Sequence, residues 1–197
     1  LFATASTGAE WHENYISNIS KIFGSYNCTF KIIELINDEI INDLKTADII
    51  YFLGGSPYKH SQLKKYSNYF KQITVKAGTS AGAIYLSYPT FYLQKDDYLI
   101  AMPDMLGLID LHVLPHSEMH KEELVANFLM NEALISFARF YGQVGLKIEY
   151  NNEEEKIYAL MGDTPGTMEK IELFLKNNKY ISIEHDGIVS MTQKLML

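Results

Sequence analysis

The first half of the chain alternates between short apolar runs and longer amphipathic runs, and this alternation is the strongest constraint on its fold. Apolar runs of strand length are predicted at Leu1–Ser6, Thr29–Leu35, Asp48–Leu53 and Ile73–Ala77. Helical patterns are predicted after them at Glu10–Tyr26, Asp38–Lys45, Lys59–Phe70 and Ser80–Ser87. Strands that alternate with helices form β-α-β units, in which a parallel sheet is covered by helices on both faces. We therefore expect an α/β three-layer sandwich with a mostly parallel sheet.

The second half of the chain has a different pattern. After a polar stretch at residues 94–98 we predict a strand at Leu108–Leu114, and then a helix from about Lys121 to Phe140 whose apolar positions fall near helical spacing. Short strands are predicted at Ile157–Met161, Ile171–Leu175, Tyr180–Glu184 and Ile188–Thr192. Asn177-Asn178 and Asp186-Gly187 are typical of hairpin turns, and Glu153-Glu154-Glu155 is predicted to be a solvated loop. The tail is thus expected to be a C-terminal β-hairpin region.

Size and composition limit the classes of function. With 197 residues, of which 47% are hydrophobic, residues 1–197 are expected to form a single domain. The net charge of −7 provides no positive surface for nucleic acid or an anionic membrane, so neither partner is expected. Cys28 is the only cysteine, which excludes an internal disulfide and predicts a reducing, cytoplasmic compartment. The composition leaves open whether the protein is a monomer or a homodimer.

The segment Gly78-Thr79-Ser80-Ala81-Gly82 has the form of a nucleophile elbow. In such an elbow a serine lies on a turn so tight that only glycine is tolerated two residues before and after it. An apolar strand is predicted before this segment and a helix after it, as the motif requires. The turn would expose the Ser80 hydroxyl at a helix N-terminus, where backbone N–H groups stabilise a developing oxyanion. Ser80 is therefore the candidate nucleophile, although an ordinary glycine-rich turn would have the same spacing.

A serine nucleophile needs a base, and His116 is the best candidate among six histidines. It follows the predicted strand Leu108–Leu114 and Pro115, so it is expected at the carboxyl end of a parallel strand. Ligands bind at that edge of such sheets, and the elbow would present Ser80 at the same edge. A histidine that only caps the following helix remains an alternative.

The spacing of His112, His116 and His120 would form a metal-binding stripe on a continuous helix. Pro115 and the apolar residues before it argue against such a helix. We therefore predict no metal and no cofactor, and keep a zinc site as an alternative.

A second glycine-rich turn, Gly54-Gly55-Ser56, ends the predicted strand Asp48–Leu53. Glycine lets the backbone approach a tetrahedral intermediate without a Cβ clash, so N–H groups of Gly54 or Gly55 could join that of Ala81 in an oxyanion hole. A tight strand-to-helix turn without a catalytic role would have the same composition.

These residues together carry a family resemblance. Gly54-Gly55, Gly78-Thr79-Ser80-Ala81-Gly82-Ala83 and Pro115-His116, in this order and spacing, resemble the serine peptidase family of dipeptidase E and cyanophycinase. The resemblance implies a class I glutamine amidotransferase-like fold with a flavodoxin-like sheet. It also implies hydrolysis of short peptides by a Ser–His–carboxylate triad, with Ser80 as nucleophile and His116 as base.

The third triad member is expected to be Asp163, which follows the strand Ile157–Met161 and matches where the family places its carboxylate. Asp96 and Asp97, in the loop after the elbow helix, match a second acidic position and are the alternative. Two other functions also remain open: an amidotransferase-like relative with non-hydrolytic chemistry, and an inactive binding module of the same fold.

The chain departs from the family at three places. Ser56-Pro57 stands where the family has Asn-Thr, and the family's strand and helix ahead of Leu1–Ser6 are absent, so a sheet strand is expected to be missing. Recognition of an N-terminal aspartate, as in dipeptidase E, would need a cation. Lys95, Lys121 and Arg139 are the candidates for it.

Overall fold

The structure is a computed structural model that describes most of the chain. The described residues are 2–5, 14, 17, 18, 20, 21, 24, 26, 28, 29, 31–33, 40–88, 90–93, 99–102, 104–123, 125, 136–151, 154–162, 168–175, 179–186 and 191–195. The chain divides into two compact units. The first is drawn from Leu1–Tyr92 and Ile100–Asp110, and the second from Leu93–Leu99 and Leu111–Leu197. A single domain for the whole chain stays a prediction.

The first unit contains the parallel sheet that the alternating pattern predicts. Its strands are β1 (Phe2–Ala5), β2 (Ile32–Ile33), β3 (Ile49–Gly55) and β4 (Val75–Gly78). Their order in the sheet is β2-β1-β3-β4, and each neighbouring pair is parallel. A two-stranded ladder of β5 (Thr90–Leu93) and β6 (Leu99–Met102) follows, which the sequence analysis missed.

Of the predicted helix Glu10–Tyr26, the described residues 14, 17, 18, 20, 21 and 24 are helical, and the prediction otherwise falls almost entirely outside the described residues. From residue 40 onward, the helices of the first unit lie where the amphipathic runs predict them, although they are shorter. They are α1 (Ile40–Thr46), α2 (Pro57–Ser61), a 3₁₀ turn (Gln62–Tyr66), α3 (Ser67–Gln72) and α4 (Ala81–Leu86). Pro57 is the first residue of α2, where its missing N–H breaks no helical hydrogen bond. Leu63, Tyr66 and Phe70 are buried at helical spacing, so the periodicity correctly identifies the face that packs against the core.

The core of the first unit is built around Phe52 of β3. The Phe52 ring makes edge contacts with Phe70 of α3 and with Tyr85 of α4, at centroid distances of 5.3 and 5.0 Å. His60 of α2 completes this cluster, with its ring stacked on Tyr85 at 5.5 Å and no exposed surface. Burial lowers the pKa of His60 from 6.5 to about 4, even though its hydrogen bond to Leu53 acts in the opposite direction. The core therefore contains a neutral imidazole.

The buried neutral His60 predicts a pH-dependent stability. Between pH 4 and pH 6.5 the unfolded chain binds a proton at this residue that the folded chain does not bind. This contribution to stability is therefore intact above about pH 6.5 and is lost as the pH falls towards 4. We expect the free energy of unfolding to decrease by about 2 kcal/mol between pH 7 and pH 5 because of His60. Urea unfolding at both pH values checks this, and His60→Gln should remove that share of the decrease. Equal pH dependence in the two proteins would contradict the prediction.

The second unit is built mainly from antiparallel strands. They are β7 (Leu111–Leu114), β8 (Ser136–Tyr141), β9 (Val144–Asn151), β10 (Glu154–Met161), β11 (Glu169–Phe174), β12 (Tyr180–His185) and β13 (Met191–Leu195). One sheet has the order β12-β11-β8-β7, and the other has the order β13-β10-β9. In the described part of this unit only β7 and β8 pair in parallel.

These sheets confirm the predicted fold class only in part. The chain has a mixed α/β fold with a parallel sheet in the first unit, but the described strands do not confirm the predicted mostly parallel flavodoxin-like sheet. β7, expected in the same parallel sheet as the strand that carries the elbow, belongs instead to a different sheet from β4. The sequence pattern distinguishes strands from helices, but it does not specify which strands become neighbours, because pairing depends on contacts distant in sequence.

The predicted helix at 121–140 is wrong at its C-terminal end, because residues 136–140 lie in β8. Phe137, Ala138, Arg139 and Phe140 are all buried, so β8 is covered on both faces. A short, mostly apolar segment of this kind is equally compatible with a buried helix and a buried strand. Residues 126–135 of the predicted helix lie outside the described residues.

Two turn predictions in the tail are also wrong. Glu154 and Glu155 belong to β10 rather than to a loop, and they pair with the end of β9. Asp186-Gly187 does not connect a hairpin, because β12 pairs with β11 whereas β13 pairs with β10. The hairpin around Asn177-Asn178 is confirmed by the antiparallel pairing of β11 with β12.

None of the helices in the described ranges combines the length and the apolar character that a membrane crossing requires.

Candidate active site

The elbow lies between β4 and α4 in the first unit. The chain leaves β4 at Gly78, passes through Thr79 and Ser80, and enters the helix at Ala81. Ser80 has φ 52° and ψ −113°, a conformation that costs a non-glycine residue about 1–3 kcal/mol. The structure thus has a strained serine at the junction where the motif predicts one.

The flanking glycines are required by close packing. A Cβ at Gly82 would lie 2.6 Å from the carbonyl carbon of Phe52, and closer still to its oxygen. A Cβ at Gly78 would lie 2.5 Å from the carbonyl oxygen of Gly82. Each distance is much shorter than a van der Waals contact, so any side chain at these positions would displace β3 or α4. The glycine spacing is therefore a consequence of how closely the two elements approach.

Backbone hydrogen bonds hold the strained turn against its neighbours. The Thr79 N–H donates to the Phe52 carbonyl at 3.0 Å, which attaches the turn to β3. The Gly82 N–H donates to the Thr79 carbonyl at 2.9 Å, and the Ile84 N–H donates to the Ser80 carbonyl at 3.1 Å. The Thr79 hydroxyl also hydrogen-bonds the hydroxyl of Tyr51 on β3. Ser80 itself is half-buried, and Ala81 is buried as the first residue of α4.

The turn after β3 lies in the same unit as the elbow. β3 extends through Gly54 to Gly55, and Gly55 has φ 128°, a conformation that L side chains rarely adopt. Ser56 then precedes Pro57 at the start of α2. Because the Phe52 carbonyl, two residues before Gly54, accepts the Thr79 N–H, the same strand anchors both the glycine turn and the elbow.

His116 lies in the second unit, two residues after β7 ends at Leu114. It is exposed, and it directly precedes a 3₁₀ turn at Ser117–Met119. Its backbone has φ 149° and ψ 54°, and its carbonyl accepts the Met119 N–H at 3.2 Å. The predicted position at the carboxyl end of a strand is confirmed, although that strand is not in the sheet of the elbow.

Ser80 and His116 share an unusual property. Among the described residues they are the only non-glycine residues with positive φ. Backbone strain of this kind persists where the surrounding structure enforces it, and it is concentrated at functional sites. The nucleophile and the base proposed from sequence motifs are thus singled out again by an independent property of the backbone.

The histidine stripe does not form on a helix. His112 is a buried residue of β7, His116 lies in the following turn, and His120 comes after the 3₁₀ turn. Within the described ranges, no three histidine, cysteine, aspartate or glutamate residues are grouped as metal ligands.

Comparison with known proteins places the chain in a family. The sequence profile described as peptidase family S51 matches residues 2–143, which include both glycine turns, Ser80 and His116. The chain belongs to peptidase family S51. Its structure is similar to that of a peptidase E candidate from Listeria monocytogenes EGD-e, with a TM-score of 0.56 and 20% identity, covering 79% of this chain and 83% of that chain. At this identity the likeness shows the fold alone.

One curated protein that the chain resembles is named as a synthase and not as a peptidase. The S51 chain is 28% identical over 119 residues to indole-3-glycerol phosphate synthase from Lachnoclostridium phytofermentans. The match covers 54% of this chain and 44% of that protein. The S51 chain therefore spans less than half the length of this curated relative.

The candidate carboxylates lie outside the described residues. This holds for Asp163 as well as for Asp96 and Asp97. Gly162, just before Asp163, is described, and a Cβ there would lie 2.7 Å from the Gln143 carbonyl oxygen. The S51 match ends at residue 143, so it includes Asp96 and Asp97 but not Asp163.

Sequence reasoning missed a charged cluster in the second unit, centred on Arg139 of β8. The buried Arg139 guanidinium forms a two-point pair with the Glu122 carboxylate at 2.7 and 3.1 Å, and lies 3.2 Å from Glu172. Its Nε donates weakly to the Ser117 hydroxyl at 3.5 Å, beside His116. Spacing gave no signal for this cluster, because its members come from segments far apart in sequence.

Glu172 of β11 is the anionic centre of the same cluster. Burial acts to raise its pKa, but hydrogen bonds from Lys170, Tyr180 and Tyr141 lower it overall. The Tyr180 and Tyr141 hydroxyls donate to its two oxygens at 2.8 and 2.9 Å. The positive charge of Arg139 is thus compensated by two carboxylates within the protein.

Proposed function

We propose that the chain is a serine peptidase that hydrolyses short peptides, with Ser80 as nucleophile and His116 as general base. The observation that carries the proposal is the strained backbone at these two residues, together with the glycine packing that makes the elbow. Membership of peptidase family S51 supports the reaction class. An ordinary glycine-rich turn would not require a serine to adopt a conformation that glycine adopts at little cost.

In the proposed reaction the imidazole of His116 accepts the hydroxyl proton as the Ser80 oxygen attacks the peptide carbonyl. The carbonyl oxygen becomes an oxyanion, which N–H groups of Ala81 and of Gly54 or Gly55 stabilise. The protonated imidazole then donates to the leaving amine, and water releases the acyl group by the same steps in reverse. No step needs a cofactor or a metal.

A carboxylate is proposed to orient the His116 ring and stabilise its protonated form. Asp163 is the first candidate, and Asp96 or Asp97 is the alternative. Single Asp→Asn substitutions distinguish them, because only the residue that orients the imidazole should reduce turnover by several orders of magnitude.

The charged residues of the second unit limit which cation could recognise an acidic residue at the N-terminus of a peptide substrate. Because Arg139 is paired with Glu122 and Glu172, it is not the cation that would recognise an acidic peptide N-terminus. Lys121 is exposed, whereas Lys95 lies outside the described residues. We therefore propose short peptides as the substrate class, with Lys121 and Lys95 as the remaining candidates for recognition of an N-terminal aspartate. Cys28 is an exposed free thiol, which fits the proposed cytoplasmic location.

The experiment that tests the proposal is covalent labelling of the purified protein with a fluorophosphonate. We expect one label per chain, located at Ser80 by peptide mass spectrometry, because only an activated serine reacts rapidly with this probe. EDTA should leave the labelling rate unchanged. Under the zinc alternative for His112, His116 and His120, EDTA abolishes activity and added zinc restores it.

The other outcomes identify the competing functions. Absence of labelling in a folded protein would contradict the peptidase proposal and favour either an inactive binding module or an amidotransferase-like relative in which Ser80 forms no acyl-enzyme. Labelling at Ser80 without hydrolysis of any member of a dipeptide library would contradict short peptides as the substrate class.

A further inference from the structure

His60 of α2 makes a specific contact at the start of the Gly54-Gly55 turn. Its Nε2 lies 2.7 Å from the carbonyl oxygen of Leu53, the residue directly before Gly54. A carbonyl oxygen only accepts hydrogen bonds, so Nε2 must carry the proton and donate it. In the neutral ring Nδ1 is then unprotonated, and it is buried without a hydrogen-bond partner among the described residues.

Packing alone does not explain a histidine at this position. The ring is fully buried between Phe52 and Tyr85, in surroundings that a leucine or phenylalanine would also fill. Either of those residues would avoid burying an unpaired ring nitrogen, which is unfavourable. The feature that histidine supplies, and that neither leucine nor phenylalanine could supply, is the hydrogen bond to Leu53.

His60 also connects the glycine turn to the elbow helix. Its ring stacks on Tyr85 of α4 at an interplanar angle of 24°. In β3, the Phe52 carbonyl accepts the Thr79 N–H of the elbow, and the next carbonyl, that of Leu53, accepts from His60. Hydrogen bonds from two different segments, the elbow and α2, thereby hold two successive peptide groups of β3. The glycines that follow have no side chains of their own to fix their orientation.

We infer that His60 is a positioning residue that holds the peptide group between Leu53 and Gly54, and with it the Gly54 N–H, in the orientation needed for the oxyanion hole. This inference rests on the proposed function, because it assigns the glycine turn a role in that reaction. His60 acts through Leu53 and does not itself contact the substrate.

The test compares three variants of the full chain by their kinetics with diisopropyl fluorophosphate, whose phosphoryl oxygen occupies the oxyanion hole during reaction. His60→Leu removes the donor, and His60→Gln keeps an N–H donor at similar reach. Phe70→Leu is the matched control, since it weakens the same aromatic cluster around Phe52. For each variant the maximal inactivation rate and the half-saturating probe concentration are measured at a temperature where it is folded.

We expect His60→Leu to lower the maximal inactivation rate by about tenfold or more with little change in half-saturation, because misplaced donors impair the transition state more than binding. His60→Gln should recover most of the rate, and Phe70→Leu should keep it. If His60→Leu does not fold, His60→Asn takes its place, since its amide is too short to reach Leu53.

A wild-type rate in the donor-deficient variant, or an equal loss in Phe70→Leu, would overturn the positioning role while leaving the proposed function intact. Failure of the wild-type protein to react at all would instead contradict the proposed function.

Discussion

Ser80→Ala is expected to abolish covalent labelling and to reduce peptide hydrolysis by about 10⁴-fold or more. Without the hydroxyl oxygen no acyl-enzyme forms, and only substrate binding and the oxyanion hole remain to accelerate attack by water. The measurement is turnover of the best dipeptide from a library, together with the mass of the labelled protein. Turnover equal to that of the wild type would contradict the assignment of Ser80.

Two further variants control for structural damage. Ser87 directly follows α4, and its buried hydroxyl donates to the Ile84 carbonyl. Ser87→Ala removes this hydroxyl and should leave labelling intact. Ser80→Gly should be as inactive as Ser80→Ala but should unfold at a higher urea concentration, because glycine adopts φ 52° without the strain of a side chain. The pair separates the catalytic effect of the hydroxyl from the conformational cost of holding a serine there.

His116→Ala is expected to reduce both hydrolysis and the labelling rate by about 10³-fold or more, because the Ser80 hydroxyl then lacks a base. Since His116 is exposed in a turn, its replacement should leave the urea midpoint of unfolding nearly unchanged. Added imidazole should restore part of the labelling rate by serving as a substitute base. Full activity in the variant would show that the base lies elsewhere.

His120→Ala is the matched control for this prediction. His120 lies at the other end of the same 3₁₀ turn, and in the triad scheme it has no role. We therefore expect near-normal turnover from it. A comparable loss in the His116 and His120 variants, reversed by zinc, would favour the metal alternative over the triad.

The short-range features of the candidate site were predictable from sequence because they depend on local backbone geometry. The glycines at 78 and 82 are needed wherever a strand and a helix approach this closely, and their spacing is visible without a structure. The position of His116 just after a strand was also predictable, because the apolar run and Pro115 that mark the end of the strand lie directly before it in the sequence. The parallel β-α-β part of the first unit was predictable because strand and helix periodicities differ over short windows.

The errors concern elements whose identity depends on distant partners. β8 was expected to be the end of a helix because Phe137 and Phe140 continue a helical spacing of apolar residues, whereas the structure pairs this segment with β7 and β11 in a sheet. The turn at Asp186-Gly187 was read as a hairpin because its residues suit one. Its flanking strands instead find partners in different sheets.

The sequence alone therefore determined the elbow, its serine and the candidate base, because each is encoded in a few adjacent residues under local steric limits. The tertiary structure decided which groups surround them. It showed the contact of His60 with Leu53, the pairing of Arg139 with two carboxylates and the separation of β7 from the sheet of β4. These depend on side chains and strands that meet across long stretches of chain, where the free energy of packing rather than local geometry selects the partner.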